Sequence, residues 1–294
     1  MEGLPKEIRV PAQLIHRAKI THHVSYVEAM LNDISRRFGT RIVEDAGLGF
    51  PTPLSFEIGL GSLRCAIDYN DLPQLPPRAG EFDFWIKFHT TSAHVPFGNV
   101  LPFPPCSFSN WDQYRELESD IRYAASGDTI LHAQRTKITL RAQQWAEDLT
   151  RRRSLVREQL RGRYGDEVDV DFTDQVTYWR KASTCLTSVH APGMWNNMLD
   201  RAQLQMFGFG VCTISPVLYT RLSPSGSPVP GEHYIACRDD YADLIEKVEW
   251  CRENREKCCE VGAAAKRLFQ ENCLPEAVWS MVGRTTVKKM MAGF

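Results

Sequence analysis

Basic side chains stand in the second half of the sequence where a predicted strand ends or a helix begins. Arg135 follows the buried-looking strand 129–133, and Arg201 lies on a predicted helix just after a turn. Parallel strands form a crevice at their carboxyl ends, and a cation placed there can bind an anionic ligand. We therefore rank Arg135 and Arg201 first among candidate anion-binding residues, followed by Lys181 and Arg141.

Each of these cations has a plainer alternative, a solvated position on the protein surface. That alternative is strongest for Arg151, Arg152 and Arg153, because a run of like charges on a long predicted helix is usually an exposed face. The run is therefore left out of the candidate site.

Polar side chains cluster around the same predicted strand ends. His190 precedes a turn that contains Gly193, where an imidazole can contact a ligand. Asn196 and Asn197 follow the turn and offer hydrogen bonds, while Glu232 places a carboxylate in the loop before a strand. The alternatives are a fully bonded histidine at a strand end, helix capping by the asparagines, and a loop carboxylate without a ligand.

The predicted elements that position these residues differ between the two halves of the chain. The first part, to about residue 120, is strand-rich with one clear helix at 11–38. Its predicted strands are 40–46, 54–58, 63–69, 82–88 and 99–103. The second half alternates strands with helices, which predicts βαβ units and a parallel, Rossmann-like sheet. Its predicted strands are 129–133, 168–172, 184–189, 210–215 and 234–237. The motif G-x-G-x-x-G is missing, which argues against a dinucleotide ligand.

Composition sets the broad class of the protein. The chain has 294 residues, with 35 Lys plus Arg against 36 Asp plus Glu and a formal charge of −1. This balance argues against a bulk nucleic-acid binder. No apolar stretch approaches the roughly 18 residues that span a bilayer, and the first residues lack a signal-peptide pattern. We therefore expect a cytoplasmic globular protein rather than a disordered, fibrous, transmembrane or small secreted one.

The nine cysteines are odd in number and none belongs to a C-x-x-C pair. Buried free thiols in a reducing compartment account for them best. Because metal-ligand spacing is missing, the sequence predicts no zinc or other metal site.

The order of motifs in the second half resembles the C-terminal domain of GT-B glycosyltransferases. A helix ending in Phe-Gly-Phe-Gly at 207–210 leads into the strand Val-Cys-Thr-Ile-Ser-Pro at 211–216, and a short His-Tyr-Ile strand follows at 233–235. Acidic-capped and Ala-rich helices then complete the region to residue 269. The closest likeness is to the CAP10-like protein O-glucosyltransferase family and its bacterial relatives.

Upstream segments fit the same likeness. They are Leu-His-Ala-Gln-Arg at 131–135, Tyr-Trp-Arg-Lys at 178–181, Ala-Pro-Gly at 191–193 with Arg201, and the strand-end segments 66–71 and 83–87. The chain departs from the pattern at Gln203 and Gln205, where many retaining enzymes of this fold carry a Glu-rich helix. That departure argues against a retaining mechanism and against a Glu–ribose contact on this helix.

The resemblance implies an α/β protein of GT-B type, with two Rossmann-like domains that face a cleft, the first of them small. We expect an acceptor-side domain at 1–125, a nucleotide-sugar-binding domain at 126–274, and a C-terminal helix at 275–294 that packs back toward the first domain. The implied reaction is metal-independent, inverting transfer of a sugar from a nucleotide donor, expected to be UDP-linked, to a hydroxyl of a glycan, peptide or small molecule. No cofactor is expected beyond the donor, which is a co-substrate. With such a donor, Arg135 and Arg201 would stabilise the leaving diphosphate, His190 would contact the diphosphate or the sugar, and Glu232 would bind a pair of ribose hydroxyls.

An inverting transfer also needs a base that takes the proton of the acceptor hydroxyl, and the resemblance places it in the first domain. Asp71 is the first candidate, because it follows a predicted strand and precedes a Pro-rich loop. Asp68 and His89 are the rivals, and a structural role is the alternative for each.

Three other functions stay open. A transferase that acts on a modified nucleic-acid base, as some phages encode, would use the basic residues of 141–163 as a phosphate track. A sugar-nucleotide sensor would bind the donor without chemistry, and a sugar-nucleotide epimerase would need no acceptor.

Overall fold

The structure is a computed structural model that describes residues 3–18, 21–70, 74–94, 97–105, 107–132, 144–171, 174–192 and 198–292. The chain forms two compact units, each assembled from separate segments. Unit 1 comprises Met1–Trp111, Arg221–Ser227 and Gln270–Phe294, and unit 2 comprises Asp112–Thr220 and Pro228–Phe269. Within the described residues, none of the helices combines the length and the apolar composition that crossing a lipid bilayer requires.

Unit 1 is built on a mixed sheet. Its strands are β1 (Glu7–Pro11), β2 (Arg41–Asp45), β3 (Ser55–Leu60), β4 (Leu63–Asp68), β5 (Phe84–Lys87) and β6 (Val100–Pro102). They lie in the order β2-β1-β3-β4-β5-β6, in which β3 runs antiparallel to both of its neighbours and the other pairs are parallel. The prediction of a Rossmann-like sheet for the first domain is therefore wrong, because such a sheet is parallel and β3 is antiparallel to both of its neighbours.

The antiparallel pair β3–β4 has a simple cause. Only two residues, Gly61 and Ser62, join Leu60 to its partner Leu63, and a connection that short can link antiparallel strands only. Gly61 has a φ of 62°, a left-handed conformation that glycine adopts without strain.

The helices of unit 1 follow the apolar periodicity of the sequence. They are α1 (Leu14–Arg17), α2 (Thr21–Phe38) and α9 (Pro275–Ala292), and short 3₁₀ turns lie at Pro77–Glu81 and Ser92–His94. Helix α2 buries Val24, Val27 and Leu31 on one face, and α9 packs against it. The single helix predicted at 11–38 is wrong at its start, because Pro11 ends strand β1 and a break separates α1 from α2.

Unit 2 is built on a fully parallel sheet, as the sequence predicts. Its strands are β7 (Ile130–Leu131), β8 (Val168–Asp169), β9 (Thr187–Val189), β10 (Thr213–Pro216) and β11 (Ile235–Cys237). Their spatial order is β8-β7-β9-β10-β11. All four strand pairings are parallel, with Ile130 beside both Val168 and Thr187. The order corresponds to 2-1-3-4-5 of a doubly wound sheet, in which the chain reverses direction of winding between β7 and β9.

The helices of unit 2 begin with α3 (Trp111–Asp120), whose first residue belongs to unit 1. The others are α4 (Gln144–Tyr164), α5 (Gln175–Lys181), α6 (Arg201–Gly208), α7 (Leu244–Glu253) and α8 (Arg255–Asn272), and a 3₁₀ turn lies at Gly165–Glu167. The apolar core lies between the sheet and these helices and includes Val156, Leu160, Val189, Ile214 and Val248.

Helix α8 comes unusually close to the chain that enters β10. A Cβ atom on Gly262 would lie 1.9 Å from the carbonyl oxygen of Gly210, so only glycine fits at this position of the helix. This close approach fixes the distance between α8 and the amino edge of the parallel sheet.

Candidate functional site

The carboxyl edge of the unit 2 sheet holds the best candidate site. In sheets of this topology the winding reversal leaves a crevice outside the carboxyl ends of the two central strands, and ligands bind there. The first residues beyond β7 and β9 are His132 and His190, and both side chains are buried. Two buried imidazoles beside one another are therefore the central feature of this edge.

The ring of His132 is anchored by the neighbouring strand. Its Nδ1 donates a hydrogen bond to the carbonyl oxygen of Val189 at 2.9 Å, and its backbone N–H donates to the carbonyl oxygen of Asp169 at 2.9 Å. The buried Nε2 atom has no hydrogen-bond partner at good distance and angle among the described residues. The backbone of Arg153 lies near this ring. Burial lowers the pKa of His132 to about 4, so the ring is neutral at pH 7.

The ring of His190 is held from both sides. Its Nε2 lies 2.9 Å from the hydroxyl oxygen of Ser188, and its Nδ1 lies 3.9 Å from a carboxylate oxygen of Asp200. The carboxylate favours the tautomer with the proton on Nδ1, in which the Ser188 hydroxyl donates to Nε2. Burial lowers the pKa of His190 to about 4, against the opposite effect of Asp200, so this ring is also neutral at pH 7.

A cation and a carboxylate also lie at this edge. The Arg153 guanidinium comes from α4, donates to the carbonyl oxygen of Ala191 at 3.5 Å, and lies 4.0 Å from Asp200. Its side chain is 14% exposed, whereas that of Arg151 on the same helix is 80% exposed. With both histidines neutral, Arg153 supplies positive charge next to them, and Arg157 adds positive charge near His132. The arrangement suits an anion that also carries hydrogen-bonding groups.

Asp200 has a second task at this edge, as the N-cap of α6. Its side chain accepts a hydrogen bond from the backbone N–H of Gln203 at 2.8 Å. Gln203 in turn donates through Nε2 to the hydroxyls of Thr213 and Ser215, at 3.0 and 2.9 Å, and so ties α6 to β10. The side chain of Gln203 therefore holds α6 against the sheet. The capping hydrogen bond keeps Asp200 in place beside His190.

Three more of the predicted donor-binding residues lie in the described part of unit 2. Lys181 forms an ion pair with Asp169 at 2.5 Å, which leaves its charge compensated. Arg201 is half-buried as the first residue of α6. Glu232 is exposed in the turn before β11, with its carboxylate 3.6 Å from the ring of His233. Asp169, the partner of Lys181, also accepts a hydrogen bond from the backbone N–H of His132, and Arg201 directly follows Asp200. The donor-binding roles of Lys181, Arg201 and Glu232 stay predictions.

Two predicted base candidates lie in unit 1. Asp68 ends β4 and is buried, and its carboxylate accepts from the indole N–H of Trp85 at 2.9 Å, from Lys87 at 3.2 Å and from the backbone of Asn70 at 2.9 Å. These bonds commit its oxygens and favour a structural role. His89 follows β5, is buried, and has a φ of 52°.

The other predicted site residues lie outside the described residues. They are Asp71, Arg135, Arg141, Gly193, Asn196 and Asn197. Their assignments stay predictions.

Sequence reasoning missed Arg153 and Asp200 and gave His132 no role. Arg153 was set aside as part of a charged run, but Leu149, Val156 and Leu160 are buried on the same helix. The spacing 149, 153, 156, 160 follows one helical face, and that periodicity marks Arg153 as the inward-facing member of the run. The partner of His132, Val189, lies 57 positions away, so no local signal reveals their contact.

A separate cluster could hold a metal ion. The sulfur atoms of Cys212, Cys251 and Cys258 lie within 4.8 Å of one another, and all three residues are buried. Cys212 directly precedes β10, at the amino end of this strand. The cluster therefore lies at the opposite edge of the sheet from the histidines.

Comparisons with known proteins yield few likenesses. No protein-family model matches the chain. A stretch of 59 residues is 37% identical to Uncharacterized protein 179R of Invertebrate iridescent virus 6, and it makes up 20% of this chain and 5% of that protein. The crystal structure of Anabaena Alr3699/HepE in complex with UDP is similar with a TM-score of 0.42 and 12% identity, over 74% of this chain and 65% of that one.

A second structure of HepE, in complex with UDP and glucose, gives a TM-score of 0.42 and 11% identity over the same shares of both chains. The chain thus spans less than two thirds of HepE and a small part of the viral protein. Likenesses of this strength carry no argument about activity, and membership of the CAP10-like family stays a prediction.

Proposed function

We propose that the chain transfers a sugar from a nucleotide-sugar donor, and that the donor binds at the carboxyl edge of the unit 2 sheet. The observation that carries the proposal is the meeting of His132, His190 and the Arg153–Asp200 pair at the winding reversal of a 2-1-3-4-5 parallel sheet. This is the position at which doubly wound sheets bind nucleotides.

The groups at this edge match the parts of a nucleotide-sugar. The Arg153 guanidinium suits a phosphate oxygen, because charge-assisted hydrogen bonds to phosphate are strong. A neutral imidazole both donates and accepts, so His132 and His190 suit hydroxyl groups of a ribose or a sugar better than they suit a bare anion. In the sequence, Arg135 and Arg141 follow His132, and Gly193, Asn196 and Asn197 follow Pro192. Their contact with the donor is part of this proposal.

The proposed chemistry is a displacement at the anomeric carbon. The acceptor oxygen attacks this carbon, the bond to the diphosphate breaks, and a base takes the acceptor proton. Negative charge then builds on the departing nucleoside diphosphate, and arginine side chains at the carboxyl edge stabilise it. Because these cations supply the required charge, we propose that transfer needs no metal ion and inverts the anomeric centre, with a UDP-linked donor.

For the base we propose Asp71 ahead of His89. Asp68 is the weakest of the three, since its carboxylate oxygens are already bonded to Trp85, Lys87 and the Asn70 backbone. The test is Asp71→Asn, measured for donor binding and for transfer separately. Unchanged binding with transfer reduced by about a hundredfold supports the role. Near-normal transfer removes Asp71 and points to His89.

The experiment for the donor site compares two arginines of the same helix. Purified protein is heated with a panel of nucleotides and nucleotide-sugars, because a ligand that binds only the folded state raises the melting temperature. We expect a UDP-sugar to stabilise the wild type and Arg151→Gln equally, and Arg153→Gln much less. Equal stabilisation of all three proteins contradicts the donor site.

The same preparation separates an enzyme from a sensor. Slow donor hydrolysis, or transfer to an added acceptor, is expected of a transferase. Donor binding without any turnover indicates a sugar-nucleotide sensor, and interconversion of two donor sugars indicates an epimerase.

A further inference from the structure

We propose that the sulfur atoms of Cys212, Cys251 and Cys258 form a binding site for one soft, thiophilic metal ion, with Cu(I) as the best match. The three atoms lie within 4.8 Å of one another in the core of unit 2. Three sulfurs about 2.3 Å from a central ion in a trigonal plane lie about 4 Å apart. The observed spacing therefore needs only small side-chain rotations to enclose an ion.

The donor set selects the kind of ion. Three sulfurs without a nitrogen or oxygen ligand suit soft ions and exclude hard cations such as Mg²⁺ and Ca²⁺. Structural zinc is almost always four-coordinate, and iron–sulfur clusters take four cysteines. Within the described residues no fourth Cys, His, Asp or Glu ligand atom joins this group. A three-coordinate soft ion, Cu(I), fits that count.

The backbone brings these cysteines together from three elements. Cys251 lies in the last turn of α7, Cys258 lies in the first turn of α8, and Cys212 lies just before β10. Gly262, one turn after Cys258, lets α8 approach so closely that its Cβ position is 3.2 Å from the backbone nitrogen of Cys212. An ion at this point would clamp the α7–α8 junction to the amino edge of the sheet.

The charge around the cluster is compatible with a cationic ion bound by thiolates. A monovalent ion with three thiolates has a net charge of minus two, and the amino end of α8 presents partial positive charge to it. Arg255, the first residue of α8, adds a full positive charge, although it is anchored to the carbonyl oxygens of Ala125 and Gly127 and to Asp128. Three protons leave the thiols as the ion binds.

The site is independent of the proposed sugar transfer. It lies at the amino edge of the sheet, and the histidines lie at the carboxyl edge. Its role is therefore structural, and its success or failure leaves the donor site untouched.

The test uses the full chain, reduced and kept without oxygen, with Cu(I) offered from a coloured bicinchoninate complex. We expect one equivalent of copper to move to the protein, a rise in melting temperature, and an X-ray absorption spectrum that shows three sulfur neighbours. Zn²⁺ offered alone is expected to bind more weakly. The variants Cys251→Ala and Cys258→Ser should each lose the copper.

Cys185→Ser is the matched control, since Cys185 is equally buried in unit 2 and stands outside the cluster. It should retain the copper. The spectrum of the wild type keeps the proposal testable even where a cluster variant fails to fold. No copper uptake, a sulfur count of two or four, preference for zinc, or equal copper loss in Cys185→Ser each overturns the proposal.

Discussion

Acidification should destabilise this protein through His132 and His190, which are buried without charge. Burial lowers the pKa of each ring from the usual 6.5 to about 4. Above pH 6.5 both the folded and the unfolded states hold neutral rings, so the histidines contribute no pH dependence there. As the pH falls below 6.5 the unfolded chain takes up protons that the folded chain does not, and folding stability is lost until about pH 4.

The size of the effect follows from these two pKa values. At about pH 5, a ring with an unfolded pKa of 6.5 and a folded pKa of about 4 lowers the free energy of unfolding by roughly 2 kcal/mol. His132→Asn removes this contribution and keeps a side-chain N–H that can reach the carbonyl oxygen of Val189. Any loss of packing in the variant is independent of pH.

The assay is urea unfolding of wild type and His132→Asn at about pH 7.5 and about pH 5. The stability difference between the two proteins should shift by about 2 kcal/mol in favour of the variant at the lower pH. His16→Asn is the control, because the side chain of His16 is exposed. A wild-type-to-variant difference that is the same at both pH values refutes the claim that His132 is buried neutral.

The remaining predictions concern charge. Arg153→Gln should weaken UDP binding by about tenfold or more in calorimetry, since about 1.4 kcal/mol is a tenfold change and a charged hydrogen bond contributes at least that. Arg151→Gln should bind normally. Arg135→Ala should fold and bind donor but transfer about a hundredfold more slowly, and a wild-type rate would remove it from the site. EDTA should leave transfer unchanged, and a loss that added Mg²⁺ or Mn²⁺ restores would contradict this. Lys87→Met should lower the free energy of unfolding by about 3–5 kcal/mol, because it strands the buried carboxylate of Asp68, and adding Asp68→Asn should recover part of the loss.

The parallel sheet of unit 2 could be predicted because each of its strands is a short apolar run between helical segments. The sheet of unit 1 could not, because its pairings join distant segments. Strand β1 is only five residues long, and its partners β2 and β3 lie 34 and about 50 positions away. Its final residue, Pro11, suggested a helix start instead. Helix α3 was also missed, although Trp111, Tyr114 and Leu117 are buried at helical spacing.

The candidate site could be predicted in its location but not in its members. Local sequence marks the strand ends that carry His190, because an apolar run stops there. It does not show that His132 reaches Val189, or that Asp200 turns back toward His190, since both contacts depend on how β7, β9 and α6 pack. The Asp68–Lys87 pair likewise exists only because β4 and β5 lie side by side in register. From the sequence alone, Asp68 is a candidate base because it is an acid at a strand end. In the fold, its bonds to Trp85 and Lys87 favour a structural role.

The most direct test of the donor site is NMR of ¹⁵N-labelled histidine rings during titration with UDP. The account predicts that UDP shifts the ring nitrogens of His132 and His190 at the same concentrations, and that those of exposed His16 stay unchanged. If saturating UDP, GDP and dTDP all leave both buried rings unperturbed, the carboxyl edge of this sheet does not bind a nucleoside diphosphate.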